Sequence, residues 1–150
     1  MSYYSFKSPL GDLTAFENQG ALVALEWGWV DGGCETALLR STEQQLDDYF
    51  DGRRQLFDLP LAPDGSPFQK KVWTALQRIP YGSISSYRDL ARSVDSAPRA
   101  IGGACGRNPL PIIIPCHRVL AANGTLGGYS GFDGLPTKRF LLNLEGWTEQ

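Results

Sequence analysis

The segment Pro60-Leu61-Ala62-Pro63-Asp64-Gly65 divides this 150-residue chain, because prolines and glycine at that density stop helices and strands alike. Hydrophobic period and charge both change across it. Before the break, residues 3–7, 13–16 and 22–27 are short β-like runs separated by the turn signals Pro9-Leu10-Gly11 and Asn18-Gln19-Gly20, which predicts a small antiparallel sheet. Residues 35–49 then set Leu38, Leu39, Leu46 and Tyr49 among acids, with Phe50 next to them, as an amphipathic helix does. Residues 55–59 read as one returning strand. From Met1 to Ser66 four basic residues face eleven acidic ones, whereas from Pro67 onward ten basic residues face five acidic ones. The expected organisation is α+β in two domains, residues 1–63 and 64–150. The basic excess of the second is the kind a polyanion partner requires.

Bulk properties exclude several classes of function. No apolar run approaches a membrane span, and Met1-Ser2-Tyr3-Tyr4-Ser5-Phe6 lacks the basic flank and apolar core of a signal peptide, so a cytoplasmic protein is expected. Three cysteines, Cys34, Cys105 and Cys116, are odd in number and widely spaced, which argues against a disulfide framework. Cys105, Cys116 and His117 do not make a zinc pattern either, since there is no CxxC pair and no second histidine. Neither Walker spacing nor a dinucleotide fingerprint is present, and no metal or nucleotide cofactor is expected.

The second domain opens on Ser66-Pro67-Phe68-Gln69, a capping box with proline at the first helical position. The helix that follows places Phe68, Val72, Ala75, Leu76 and Ile79 on one face and leaves Lys70, Lys71 and Arg78 outward, until Pro80-Tyr81-Gly82 stops it. Ser86-Tyr87-Arg88-Asp89 begins a short helix and Ser96-Ala97-Pro98 another, a spacing compatible with helix-turn-helix. That last helix contains Arg99, Gly102 and Gly103. Interior glycines each cost about 1 kcal/mol against alanine, so something must come close to them, either a second helix or a nucleic-acid backbone. Asn108-Pro109 ends the helix and an apolar run, Pro111 to Pro115, leads to Cys116-His117.

His117 is the only histidine of the chain. A thiolate is the attacking form of cysteine, and a neighbouring imidazole can take its proton, so the pair reads as nucleophile and base. If the run is extended, the two side chains point to opposite faces and communicate through a water or a local bend. A buried thiol closing a core strand is the alternative. A last helix, starting near Pro136 and packing Phe140, Leu141 and Leu144, ends at Glu145-Gly146, and Glu145 facing the imidazole would orient it as the third member of a hydrolytic triad does. The residues alone leave a cysteine hydrolase and a non-catalytic binding module open.

Tyr87 before a short helix, Arg99-Ala100-Ile101-Gly102-Gly103, Asn108-Pro109, Pro115-Cys116-His117-Arg118-Val119, Gly128-Tyr129-Ser130-Gly131 and Leu144-Glu145-Gly146 together resemble the O6-alkylguanine-DNA alkyltransferases. The resemblance implies a ribonuclease H-like N-terminal domain and a helical C-terminal domain with helix-turn-helix and a short strand or hairpin at the active site. It implies irreversible, stoichiometric repair in which Cys116 takes the alkyl group from O6-alkylguanine, and also from O4-alkylthymine, without a cofactor. His117 and Glu145 would generate the thiolate and Tyr87 would protonate the leaving guanine. Tyr129, Ser130, the carbonyls of Cys116 and Val119, and Asn108 would shape the guanine site. Arg99, Gly102, Gly103 and Arg118 would meet duplex DNA in its minor groove, with Arg99 filling the gap left by the flipped base. A monomer is expected. Tryptophan in place of Cys116 would have marked the non-catalytic relatives, and the link Arg92-Ser93-Val94-Asp95-Ser96-Ala97 is shorter than the family's usual one.

Overall fold

Two tight turns set the N-terminal sheet. Strand β1 (Ser2–Ser8) meets β2 (Gly11–Asn18) across Pro9-Leu10, and β2 meets β3 (Ala21–Trp27) across Gln19-Gly20. Both residues of the second turn have positive φ, 51° and 81°, the backbone of the hairpin turn whose twist matches that of antiparallel strands. The computed structural model describes residues 1–129 and 131–149. It places all three strands in one antiparallel sheet of order β1-β2-β3.

Helix α1 (Ala37–Phe50) starts at Thr36, whose side chain accepts from the Leu39 N–H, and it packs on β1 and β2; Leu39, Leu46 and Tyr49 of the helix and Leu13, Leu22 and Leu25 of the sheet are buried. The strand expected at residues 55–59 does not form. The amide of Gln45 takes over the backbone groups of Asp58, accepting from its N–H at 2.8 Å and donating to its C=O at 3.1 Å, so that stretch is held by a helix side chain instead of a sheet ladder. Pairing resumes only at Leu61, in one parallel bridge to Leu22. The chain separates into two compact units after Asp64.

In the second unit α2 (Pro67–Leu76) carries the full capping box, with Ser66 and Gln69 each accepting the other's backbone N–H. Val72, Trp73, Ala75, Leu76 and then Ile79 are buried, while Lys70, Lys71 and Arg78 are exposed. The Trp73 indole donates to the Ala104 carbonyl at 2.9 Å, which fixes α2 to α4. Ser86 caps α3 (Tyr87–Ser93), and Pro98 opens α4 (Pro98–Gly106), which packs on α3.

The apolar run after α4 is folded into turns rather than extended. Ile114 N–H reaches the Leu110 carbonyl, Ile112 has φ 74°, and Cys116–Arg118 form one 3₁₀ turn. Prolines 109, 111 and 115 withhold the donors a ladder needs, so a strand cannot propagate there. Pairing returns briefly as β5 (Val119–Leu120) runs parallel to β4 (Ser85–Ser86). The short strand expected near the cysteine is therefore present, but as a parallel pair and not one arm of a hairpin. Helix α5 (Leu135–Leu144) buries Leu141 and Leu142 and closes at Gly146, φ 95°, with Trp147 N–H bonded back to the Leu142 carbonyl. Phe140, expected in the core, is 39% exposed, because the buried stripe of α5 runs through Thr137, Lys138, Leu141 and Leu142 instead.

Candidate active site

The 3₁₀ turn determines what the Cys-His pair can do. Its tight winding carries Cys116 and His117 to separate surroundings within a buried segment, Cys116 being 7% and His117 0% exposed. Cys116 faces a cavity of about 780 Å³, also lined by Tyr87, Arg88, Arg99, Cys105 and Tyr129. His117 points its Nε2 at Glu145 Oε2, 2.8 Å away. The same carboxylate is gripped by Arg118, whose Nε donates to Oε1 at 2.7 Å and whose second terminal nitrogen donates to Oε2 at 2.9 Å. With both carboxylate oxygens receiving donors, Glu145 fixes the tautomer: Nε2 carries the hydrogen and Nδ1 keeps the lone pair. Nδ1 is buried and has no hydrogen-bond partner among the described residues. Burial lowers the imidazole pKa, against the hydrogen bond and charge of Glu145, which favour the charged form. A neutral imidazole with a free lone pair is a base in waiting.

Opposing influences act on the Cys116 thiol. Burial pushes the Cys116 pKa up, while the Asn108 side chain and the Lys138 ammonium pull it down. Asn108 sits where it can do so because its amide donates to the Ile114 carbonyl at 2.8 Å and accepts from the Leu110 N–H at 3.0 Å, bracing the turn ahead of Cys116. Tyr87, at the start of α3, donates its hydroxyl to the Gly128 carbonyl at 3.4 Å, and burial raises its pKa to about 12. It therefore carries a proton at neutral pH. Tyr129 lines the cavity with a hydroxyl that is buried and unpartnered among the described residues.

Arg99, Gly102 and Gly103 lie on α4 and are exposed. A Cβ built at Gly102 or Gly103 would meet nothing within 4 Å, so no second helix accounts for these glycines. Val119 is fully buried, and its carbonyl accepts from Lys138 Nζ at 2.6 Å. Ser130 lies outside the described residues. The expectation that Arg118 meets DNA is corrected: it is 6% exposed and all three guanidinium nitrogens are bonded inside the unit, two to Glu145 and one to the Ile79 carbonyl.

Lys138 was missed by the sequence reading. It is fully buried, spans the Val119 and Gly128 carbonyls, lies 5.7 Å from the Tyr87 ring centroid, and has a pKa lowered to about 8 by burial. The signal was present, since Lys138 precedes Leu141 and Leu142 by helical spacing and so shares their buried face. Arg88 was also missed, and Cys105, to which the sequence assigned no role, lines the cavity as well.

Comparison with known proteins follows the two units. The family model described as "6-O-methylguanine DNA methyltransferase, ribonuclease-like domain" matches residues 1–63, and that described as "6-O-methylguanine DNA methyltransferase, DNA binding domain" matches residues 67–147. A constitutive methylated-DNA--protein-cysteine methyltransferase of Bacillus subtilis is 45% identical over 97% of this chain and 96% of its own. The methylated-DNA--protein-cysteine methyltransferase of Methanosarcina acetivorans is 40% identical over 97% and 99%. Among solved structures, Mycobacterium tuberculosis OGT in complex with DNA superposes with a TM-score of 0.88 at 38% identity, covering 97% of this chain and 92% of that one.

Proposed function

The chain belongs to the 6-O-methylguanine DNA methyltransferase family, and from that premise we propose that Cys116 is the residue onto which it transfers the alkyl group of O6-alkylguanine in DNA. The protein is a DNA-repair methyltransferase with DNA as its partner. The observation that supports the assignment of Cys116 is the buried His117 held by Glu145 through Nε2, its Nδ1 without a partner among the described residues, next in the chain to a cysteine that opens on a cavity.

The chemistry follows from those positions. His117 Nδ1 takes the thiol proton, directly or through one water, as the sulfur attacks the alkyl carbon. The carbon–sulfur bond forms while the carbon–O6 bond breaks, and its electron pair leaves on the purine. Tyr87, which keeps its proton until a stronger base approaches, returns a proton to the departing guanine. Lys138 offsets negative charge on the sulfur during attack. The Val119 carbonyl has one lone pair engaged by Lys138 and a second for the guanine amino group, alongside the Cys116 carbonyl, Tyr129 and Ser130. Asn108 holds the turn. The product is a thioether without a good leaving group, so each molecule acts once, on O4-alkylthymine as on O6-alkylguanine.

The target carbon is unreachable in paired DNA, which requires the nucleotide to rotate out of the stack. Helices α3 and α4 serve as a helix-turn-helix whose glycine-bearing face enters the minor groove, with Arg99 occupying the gap. The protein acts as a monomer in the cytoplasm; no helix among the described residues is long and apolar enough to cross a membrane. Mass spectrometry after incubation with a duplex containing O6-methylguanine tests the assignment. One methyl group is expected per chain, on Cys116, and Cys116→Ala is expected to bind the duplex without gaining mass. Lesion binding by the wild type with Cys116 unmodified sinks it.

A further inference from the structure

Arg118 takes no part in the chemistry above, yet a cation that cannot be deprotonated is buried there. Its guanidinium ties three parts of the second unit together. Nε and one terminal nitrogen donate to the two oxygens of Glu145, just past α5, and the other terminal nitrogen donates to the Ile79 carbonyl at 2.8 Å, just past α2. The Tyr81 ring centroid lies 5.8 Å from the guanidinium carbon, and the Tyr81 hydroxyl donates to the Leu144 carbonyl at 3.3 Å, so the turn after α2 packs on the end of α5.

That grip has an electrostatic consequence. A carboxylate taken out of water is tolerated only when positive charge compensates it. Glu145 is buried, and it meets both His117 and Arg118. Were the imidazole to supply the compensation, it would have to hold a second proton, and an imidazolium has no lone pair with which to accept the proton of Cys116. Arg118 supplies the charge permanently. Burial lowers the imidazole pKa first, and the charges of Arg118 and Lys138 lower it further, against the pull of Glu145. Lys138 does not replace Arg118, because its ammonium is bonded to the Val119 and Gly128 carbonyls. Glu145 and Lys138 come to His117 from α5 and its end, Arg118 and Cys116 belong to its own turn, and Tyr81 faces Glu145 and Arg118 from the turn after α2. The fork of Arg118 also fixes the carboxylate plane, so Oε2 stays on Nε2 and the Nδ1 lone pair keeps its direction.

We propose that Arg118 is a positioning residue for alkyl transfer: it permanently balances Glu145, so that His117 meets Cys116 as a neutral base of fixed tautomer. The inference rests on transfer to Cys116 and adds the group that sets the charge of its base. No bond changes at Arg118 itself.

The single histidine of the chain makes that charge directly readable. In the full-length protein carrying isotope-labelled histidine, nitrogen NMR follows His117 across a pH range centred near the ordinary histidine pKa of about 6.5. On the same variants, single-turnover transfer from a saturating duplex bearing O6-methylguanine is timed by mass spectrometry. The wild type is expected to show a neutral imidazole with its hydrogen on Nε2 at neutral pH. Arg118→Met should move protonation of the imidazole upward by about one pH unit or more, slowing transfer roughly tenfold at the acid end and by no more than about threefold at the alkaline end. Adding Glu145→Gln to Arg118→Met removes both charges, and the imidazole should become neutral again with the acid loss of rate relieved. Where Arg118→Met fails to fold, Arg118→Gln, which keeps a donor for Glu145 without the charge, takes its place with the same expectation. An imidazole whose protonation does not move in the Arg118 variants overturns the proposal, as does a rate lost equally at every pH, the mark of a purely structural role. A wild type that leaves Cys116 unmodified defeats the assignment of Cys116 instead, a separate failure, and the NMR series still reads the charge that Arg118 sets.

Discussion

At the scale of single residues the site is a balance of burial against compensating charge. Burial raises the thiol of Cys116 and lowers both the His117 imidazole and the Lys138 ammonium, so each group is held in its neutral form more strongly than in water. Lys138 is the lever that can be tested. Lys138→Met removes the cation that favours the thiolate, and transfer is expected to slow by at least about tenfold, one unit of pKa corresponding to about 1.36 kcal/mol. A pH-rate series checks the cause. In the wild type the support from Lys138 is full below its folded pKa of about 8 and fades above it, a bend that Lys138→Met should lack. Stability moves the other way. Because the unfolded lysine titrates near 10.4, the unfolded state binds more protons between about 8 and 10.4, and wild type should gain stability relative to Lys138→Met as pH rises through that window. Urea titrations at pH 8 and pH 10 measure it. An unchanged difference removes Lys138 from the electrostatic account.

At the scale of elements, α4 is built against its own stability. Gly102 and Gly103 sit inside a nine-residue helix with open space where a Cβ would be, so packing does not require either. Gly103→Ala is expected to stabilise the second unit by up to about 1 kcal/mol while weakening binding to duplex DNA. Thermal melts and a binding titration on the same sample decide it, and unchanged DNA affinity detaches the glycine face from recognition. The other elements were largely legible in sequence. The turns at Pro9-Leu10 and Gln19-Gly20, the capping box at Ser66 and Gln69, and the proline opening α4 are local devices that act over three or four residues, which is why a linear reading finds them. The strand expected at residues 55–59 is absent, and the run before Cys116 takes the bent form and not the extended one, for the opposite reason. Their apolar content suits a strand, but whether a strand forms depends on a partner; Gln45 engages the backbone of Asp58 in one case, and in the other prolines withhold donors while local turns use the remaining backbone groups.

Across the whole molecule, charge is divided between the units, with ten basic against five acidic residues from Pro67 onward and four against eleven before it. If the basic unit neutralises phosphates, binding should weaken linearly in log salt, and replacing one phosphate-contacting cation should reduce the slope by about 0.9. Arg88→Ala, at the exposed rim of the cavity, is the expected case, whereas Arg99→Ala should chiefly reduce preference for lesion over undamaged duplex. Titrations at several salt concentrations on both duplexes separate the two effects. Much of this was legible in the sequence: the division of the chain, the family motifs, and Cys116, His117 and Glu145 as the groups on which the proposed chemistry is built, because residue type and short spacing carry chemistry directly. The tertiary structure alone decided how those groups meet. It turned Arg118 inward onto Glu145, brought Lys138 from a distant helix to the carbonyls around the thiol, and made Cys105 a wall of the pocket. These are contacts between residues far apart in the chain, fixed by how helices and turns pack, and no local pattern encodes which atoms such packing leaves free.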